Sequence, residues 1–162
     1  VARVIDWGGG ECVSGFGDGR EEMSMNESFE QKQDNFKYPD IFSESGEFER
    51  VAKEFGIELS VLEYQARDGS LVALEEDMWK ALENSDSPFI EINDWNNVEE
   101  HSSQEDRDWE DLKNKLEKGT VLEAPIIMKF GDRYHLVAGN TRLMVSKAMG
   151  IVPKVLLFEI EV

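Results

Sequence analysis

The chain has one cysteine, Cys12, in 162 residues, which excludes an internal disulfide or a zinc site built from several cysteines and fits a reducing cytoplasm. Its neighbours Asp6, Glu11 and Asp18 favour the protonated thiol, so no reactive thiolate is expected there. Long apolar runs are also missing. Nothing approaches the roughly 20 residues that cross a bilayer, and the N-terminus lacks a basic stretch followed by an apolar one, so the expectation is a soluble, cytoplasmic chain with no membrane partner. Basic charge is scarce, with 17 Lys and Arg against 35 Asp and Glu and a net charge of −18. Duplex DNA repels such a chain, and autonomous duplex DNA binding is not expected. The acidity fits either a mimic of DNA that occupies a DNA-binding partner or a chain kept soluble by its charge.

The length suits one domain with a hydrophobic core, or a compact domain carrying an N-terminal extension. The sequence opens on Val1 rather than Met, as a processed chain, a trimmed one or the tail of a longer one would. Arg3–Trp7 reads as a short strand. Gly8–Gly19 reads as a loop that contains neither a Gly-x-Gly-x-x-Gly pattern nor a Gly-Lys-Ser/Thr ending. Arg20–Ser45 is acidic with scattered Met23, Met25, Phe29, Phe36, Tyr38 and Phe42, an arm whose aromatics pack on the core or on a protein partner. Phe48, Val51, Ala52 and Phe55 share one face of a helix that Gly56 ends. Ile57, Leu59 and Val61, then Leu62, Tyr64 and Ala66, alternate in opposite phase, which predicts a bulged strand. Asp68-Gly69 predicts a hairpin turn into Leu71–Leu74, and Glu75–Leu82 a short helix carrying Met78, Trp79 and Leu82.

Ser85-Asp86-Ser87-Pro88 is the expected boundary. Beyond it come a strand at Phe89–Ile92, a polar connection at Asn93–His101, and a helix from a Ser102/Glu105 capping box through Trp109, Leu112 and Leu116 to Gly119. Strands follow at Pro125–Phe130 and Arg133–Ala138 around Gly131-Asp132. A helix capped by Asn140 or Thr141 and closed by Gly150 comes next, then a last strand from Lys154. His135 reads as a strand residue with a local hydrogen bond. The chain thus divides into an arm (1–45), a helix plus β-hairpin extension (46–85) and a small mixed α/β domain (86–162), a mixed α+β fold.

The stretch Gly139-Asn140-Thr141-Arg142 opens the helix after the second hairpin strand. It puts Arg142 in the first helical turn, where the dipole and the terminal N–H groups favour an anion. From Gly119 to Leu157 the bases Lys129, Arg133, Arg142, Lys147 and Lys154 outnumber the acids Glu123 and Asp132, a basic island in an acidic chain.

The pieces FIEI, the helix through Leu116 to Gly119, APIIM, YHLVAGNTR, LMVSKAMGI and PKVLLFEI, spanning Phe89–Glu161, resemble the ParB/sulfiredoxin superfamily. The resemblance does not extend to the helix-turn-helix region that gives partition proteins their DNA specificity. It implies a nucleoside triphosphate site with Mg²⁺ in which the Gly-x-x-Arg corner holds the phosphates. The implied ligand-binding residues are Gly139, Asn140, Thr141 and Arg142, with Lys147 and Pro125. Asn140 stands where the sulfiredoxin branch has its catalytic Cys, and Asn140 and Thr141 replace the Glu and Arg of the partition proteins' Gly-Glu-Arg-Arg. The corner is most similar to the Gly-His-Thr-Arg of the free serine kinase branch, although Ala138 replaces the Asp that often precedes it. Phosphoryl or nucleotidyl transfer is the implied chemistry, with Asp94, Glu99 and Glu100 as metal-facing carboxylates or general base, and His101 as a weaker candidate. Such stand-alone domains are common in phages and mobile elements, so the cytoplasm of a bacterial or phage-infected cell is the implied location. The alternative is a non-enzymatic acidic interaction module, a DNA mimic or an assembly subunit.

Overall fold

A computed structural model describes residues 35–104 and 108–161. The expected strand at Arg3–Trp7, the Gly-rich loop, most of the acidic arm and Glu105 lie outside the described residues. Residues 33–162 form one compact unit.

The described end of the arm is part of this unit. Phe36, in β1 (Phe36–Lys37), is buried, and the Tyr38 hydroxyl donates to the carbonyls of Ala66 at 3.1 Å and Arg67 at 2.6 Å. A 3-10 turn, Ile41–Glu44, leads into α1 (Ser45–Phe55), where Phe48 and Val51 are fully buried and Gly56 closes the helix at φ 66°.

Residues 59–67 are not a bulged strand but a second helix, α2 (Leu59–Arg67). Leu59, Leu62 and Ala66 recur at the helical spacing i, i+3, i+7, with Leu62 and Ala66 fully buried and Val61 and Tyr64 exposed. The apparent phase switch is a 3.6-residue period sampled in steps of two. Asp68-Gly69 accordingly joins helix to strand rather than two strands. A Cβ on Gly69 would lie 2.8 Å from the Leu157 carbonyl oxygen, so this crossing needs a glycine.

Next come β2 (Ser70–Ala73), α3 (Glu76–Ala81) with Trp79 buried, and the two-residue β3 (Leu82–Glu83). The strand expected at Phe89–Ile92 is not a strand. Ser87–Phe89 is a 3-10 turn with Pro88 in its first positions, and of Phe89–Ile92 only Ile90 is buried while Phe89 and Ile92 stand exposed. The expected polar connection is also a helix, α4 (Trp95–Gln104), whose stripe Trp95, Val98, Ser102 is too sparse in apolar residues to announce itself. Ser102 lies inside α4, fully buried, rather than capping the next helix. That role falls to Asp108, whose Oδ1 accepts from the Asp111 N–H at 3.1 Å at the head of α5 (Trp109–Glu117).

The C-terminal part follows the sequence pattern. β4 (Leu122–Glu123) pairs in parallel with β1, and β5 (Ile126–Phe130) turns through Gly131 into β6 (Arg133–Ala138). Then come α6 (Asn140–Met149), closed by Gly150 at φ 73°, and β7 (Lys154–Ile160). The mixed sheet runs β2-β7-β5-β6-β3, with β5/β6 and β2/β7 antiparallel and β5/β7 and β3/β6 parallel. Both edge strands thus come from residues 46–85.

Helices cover both faces, giving a mixed α+β fold. On one face α1 and α2 bury Phe48, Val51, Leu62 and Ala66 against Ile126, Met128, Val137 and Phe158. On the other, Leu143 of α6 joins Leu74, Trp79, Ile127, Leu136 and Val155. The opposite side of α6, through Met144, Val145 and Ala148, packs on Val98 of α4 and Leu116 of α5. A helix covered on two sides holds its N-terminus in a fixed position, and that end is where the site is built.

Candidate functional site

The chain leaves β6 at Ala138 and turns sharply at Gly139. Gly139 is the N-cap of α6, with φ 108°, so neither Asn140 nor Thr141 caps the helix. A Cβ there would meet Pro125 Cβ at 2.6 Å. Pro125 therefore supports the corner from beneath.

The Asn140 side chain turns to the preceding loop. Its Oδ1 accepts from the Ser85 hydroxyl and the Asp86 N–H, both at 2.9 Å, and its Nδ2 donates to Asp86 Oδ2 at 3.1 Å. Ser85 and Ser87 hydroxyls are 2.7 Å apart, and the Trp79 indole donates to Ser87 at 2.7 Å, so the loop is tied into the core. His101 reaches this loop, its Nδ1 3.7 Å from Asp86 Oδ2.

Arg142 points back across β4. One guanidinium nitrogen donates to the Glu123 carbonyl, and Nη2 donates to Glu44 Oε2 at 3.1 Å. The pair is largely enclosed, at 16% and 22% side-chain exposure. A second guanidinium stands nearby. Arg50 of α1 donates to the Val137 carbonyl at 3.2 Å and is held by Glu47 at 3.0 Å and Glu54 at 3.4 Å.

These groups line a cleft of about 920 Å³ bounded by residues 44–50, 84–86, 108–112, 122–123 and 136–142. Of the expected ligand-binding residues, Gly139, Asn140, Thr141 and Arg142 line it. Pro125 and Lys147 do not. Lys147 lies with its ammonium 4.9 Å from the centre of the Trp79 ring and 3.5 Å from the Pro88 carbonyl.

The expected catalytic carboxylates Asp94, Glu99 and Glu100 are not brought to the cleft. Asp94 sits at the start of α4, next to Asn93, which bonds the Ala148 carbonyl near the far end of α6, and Glu99 and Glu100 are exposed on α4.

The basic island of the sequence disperses in space. Arg133 makes two 2.9 Å bonds to Glu83, Lys129 lies over Tyr134, and among the five bases of the island only Arg142 lines the cleft. The lining holds six carboxylates (Glu44, Glu47, Asp86, Asp108, Asp111, Glu123) and two guanidiniums, an excess of four negative charges.

Sequence reasoning missed Arg50 and Asp86. Arg50 contacts β6 across 87 positions, with no local pattern to mark it, and Asp86 lay inside a turn signal read as a boundary.

Next to the cleft, His135 is 3% exposed on β6. Its expected local hydrogen bond is not formed. Both ring nitrogens lack hydrogen-bond partners, Nδ1 being 3.6 Å from Glu83, and the ring meets Phe55 edge-on at 4.9 Å. Burial pushes its pKa below 6.5, with Arg50 adding to that and Glu54 and Glu83 opposing it. The Glu83 carboxyl is held below 4.5, chiefly by the Arg133 guanidinium.

Compared with protein-family models, curated proteins and solved structures, the chain matches none.

Proposed function

We propose that the cleft binds the phosphate groups of a nucleoside triphosphate that arrives as its Mg²⁺ complex. The observation that carries this is the anion already seated there. Arg142, in the first turn of a helix buried on two sides, holds the Glu44 carboxylate at 3.1 Å inside a cleft of about 920 Å³. A guanidinium nitrogen that donates to a carboxylate oxygen donates equally to a phosphate oxygen, the helix dipole favours either anion, and the volume lies within the usual range for ligand sites. The resemblance of residues 89–161 to ParB/sulfiredoxin domains supports the same reading through the Gly139–Arg142 corner.

The excess of carboxylates repels a bare polyphosphate, so Mg²⁺ is part of the proposal. Among the described residues no group of three or more His, Cys, Asp or Glu side chains is arranged to hold a metal. The ion would enter with the nucleotide, and Asp86 is the carboxylate offered to it at the corner. The reading stops at binding, because Asp94, Glu99 and Glu100 lie away from the cleft.

A thermal-shift screen with ATP, CTP and GTP tests it. At about 100 times its Kd, a bound nucleotide adds roughly 2.7 kcal/mol of stability. The expected result is a shift with Mg²⁺ and a much smaller one with EDTA. No shift with any of the three contradicts the proposal.

The same carboxylate excess favours a second reading, an acidic interaction module whose cleft receives a basic group of a protein partner. A silent nucleotide screen, together with a shift on adding a Lys- and Arg-rich peptide that high salt abolishes, would favour that reading.

A further inference from the structure

We infer that Glu44 is a built-in competitor that gates the cleft, so that an anionic ligand binds only when the Glu44 carboxylate has swung off Arg142. This rests on the binding proposal above and specifies how that site is regulated. Glu44 ends the 3-10 turn Ile41–Glu44, and its Oε2 accepts from Arg142 Nη2 at 3.1 Å across 98 positions of chain. A phosphate oxygen needs that same nitrogen, and two anions held side by side in a largely enclosed site repel each other. Occupancy by the one therefore excludes the other.

The rest of the turn is anchored independently of this contact. Ile41 is buried, Asp40 Oδ1 accepts from the Phe42 N–H at 3.1 Å, and the Asp40 N–H donates to Glu123 Oε1 at 3.2 Å. Opening thus needs rotation of one side chain rather than unfolding of a segment. Arg142 also keeps a second tether, the neutral carbonyl of Glu123, which holds the guanidinium in place without cancelling its charge once Glu44 leaves. If the closed pair predominates by about ten to one, the apparent affinity is about tenfold below that of the open site.

The test is calorimetric titration of MgATP and of inorganic pyrophosphate with Mg²⁺ into the 162-residue wild type, E44Q, E44D and D111N. E44Q removes the charge. E44D keeps it but shortens the reach. D111N removes one carboxylate from the same cleft without touching Arg142, because Asp111 pairs with Lys115 at 2.9 Å. Expected are Kd values about tenfold lower for E44Q, clearly lower for E44D, and lowered by no more than about threefold for D111N, the share of the general repulsion that one lining carboxylate carries. Equal tightening by E44Q and D111N, or a wild type that binds while neither Glu44 variant binds tighter, overturns the gate and leaves the site. Absence of binding in all four variants, each with a cooperative melt, removes both the gate and the site.

Discussion

Gly139 concentrates two constraints in one residue. Its φ of 108° is closed to residues with a Cβ, and the space where one would go is filled by Pro125. Gly139→Ala should therefore cost about 3 kcal/mol or more in urea unfolding, where a surface glycine would cost far less.

His135 makes a different prediction. A buried imidazole with a depressed pKa is held neutral in the native state, so the unfolded chain binds more protons below pH 6.5 and stability falls as pH drops through that value. The lowered Glu83 carboxyl acts in the same direction but below 4.5. His135→Leu should flatten the stability profile between pH 7 and 5 and leave the loss below 4.5 in place. An unchanged slope between pH 7 and 5 would show that another group titrates there.

At the scale of the element, α2 is the informative case. As a helix it makes Leu62 a core residue and Val61 a surface one. Leu62→Ala should cost about 2–5 kcal/mol in chemical denaturation and Val61→Ala less than about 0.5 kcal/mol. As a strand, Val61 would matter comparably.

Elements with a dense, capped pattern were legible from sequence. α1, the β5–β6 hairpin and α6 each carry several apolar positions and a glycine at a turn or helix end, and β7 ends in alternation of apolar and acidic residues. α2 and α4 were not legible, because α2 spreads three buried or half-buried apolar positions over eight residues and α4 relies on a buried serine in place of an apolar residue. Propensity and period are weak where packing supplies the helix, and α4 is held by α6 behind it.

At the scale of the whole molecule, pattern within the chain did not reveal that residues 46–85 supply both edges of the sheet. Strand pairing between β2 and β7 or β3 and β6 joins positions far apart in sequence, and no local signal encodes it. A fragment beginning at Asp86 would lose β2, β3 and the helices over one face, and should give no cooperative thermal transition, while a chain beginning at Gln33 should melt cooperatively.

The corner itself was legible as four residues and an arginine. Its electrostatic setting was not, because Glu44, Glu47, Asp86, Asp108 and Asp111 reach it only through the fold, and they turn a locally basic stretch into an acidic cleft with one anion already in place.

The most direct measurement of the central claim is calorimetric titration of ATP, CTP and GTP, with Mg²⁺, into wild type and Arg142→Ala. The expected result is saturable binding of at least one nucleotide to wild type and its loss, at least tenfold in Kd, in the variant. Equal binding by both proteins would contradict the account.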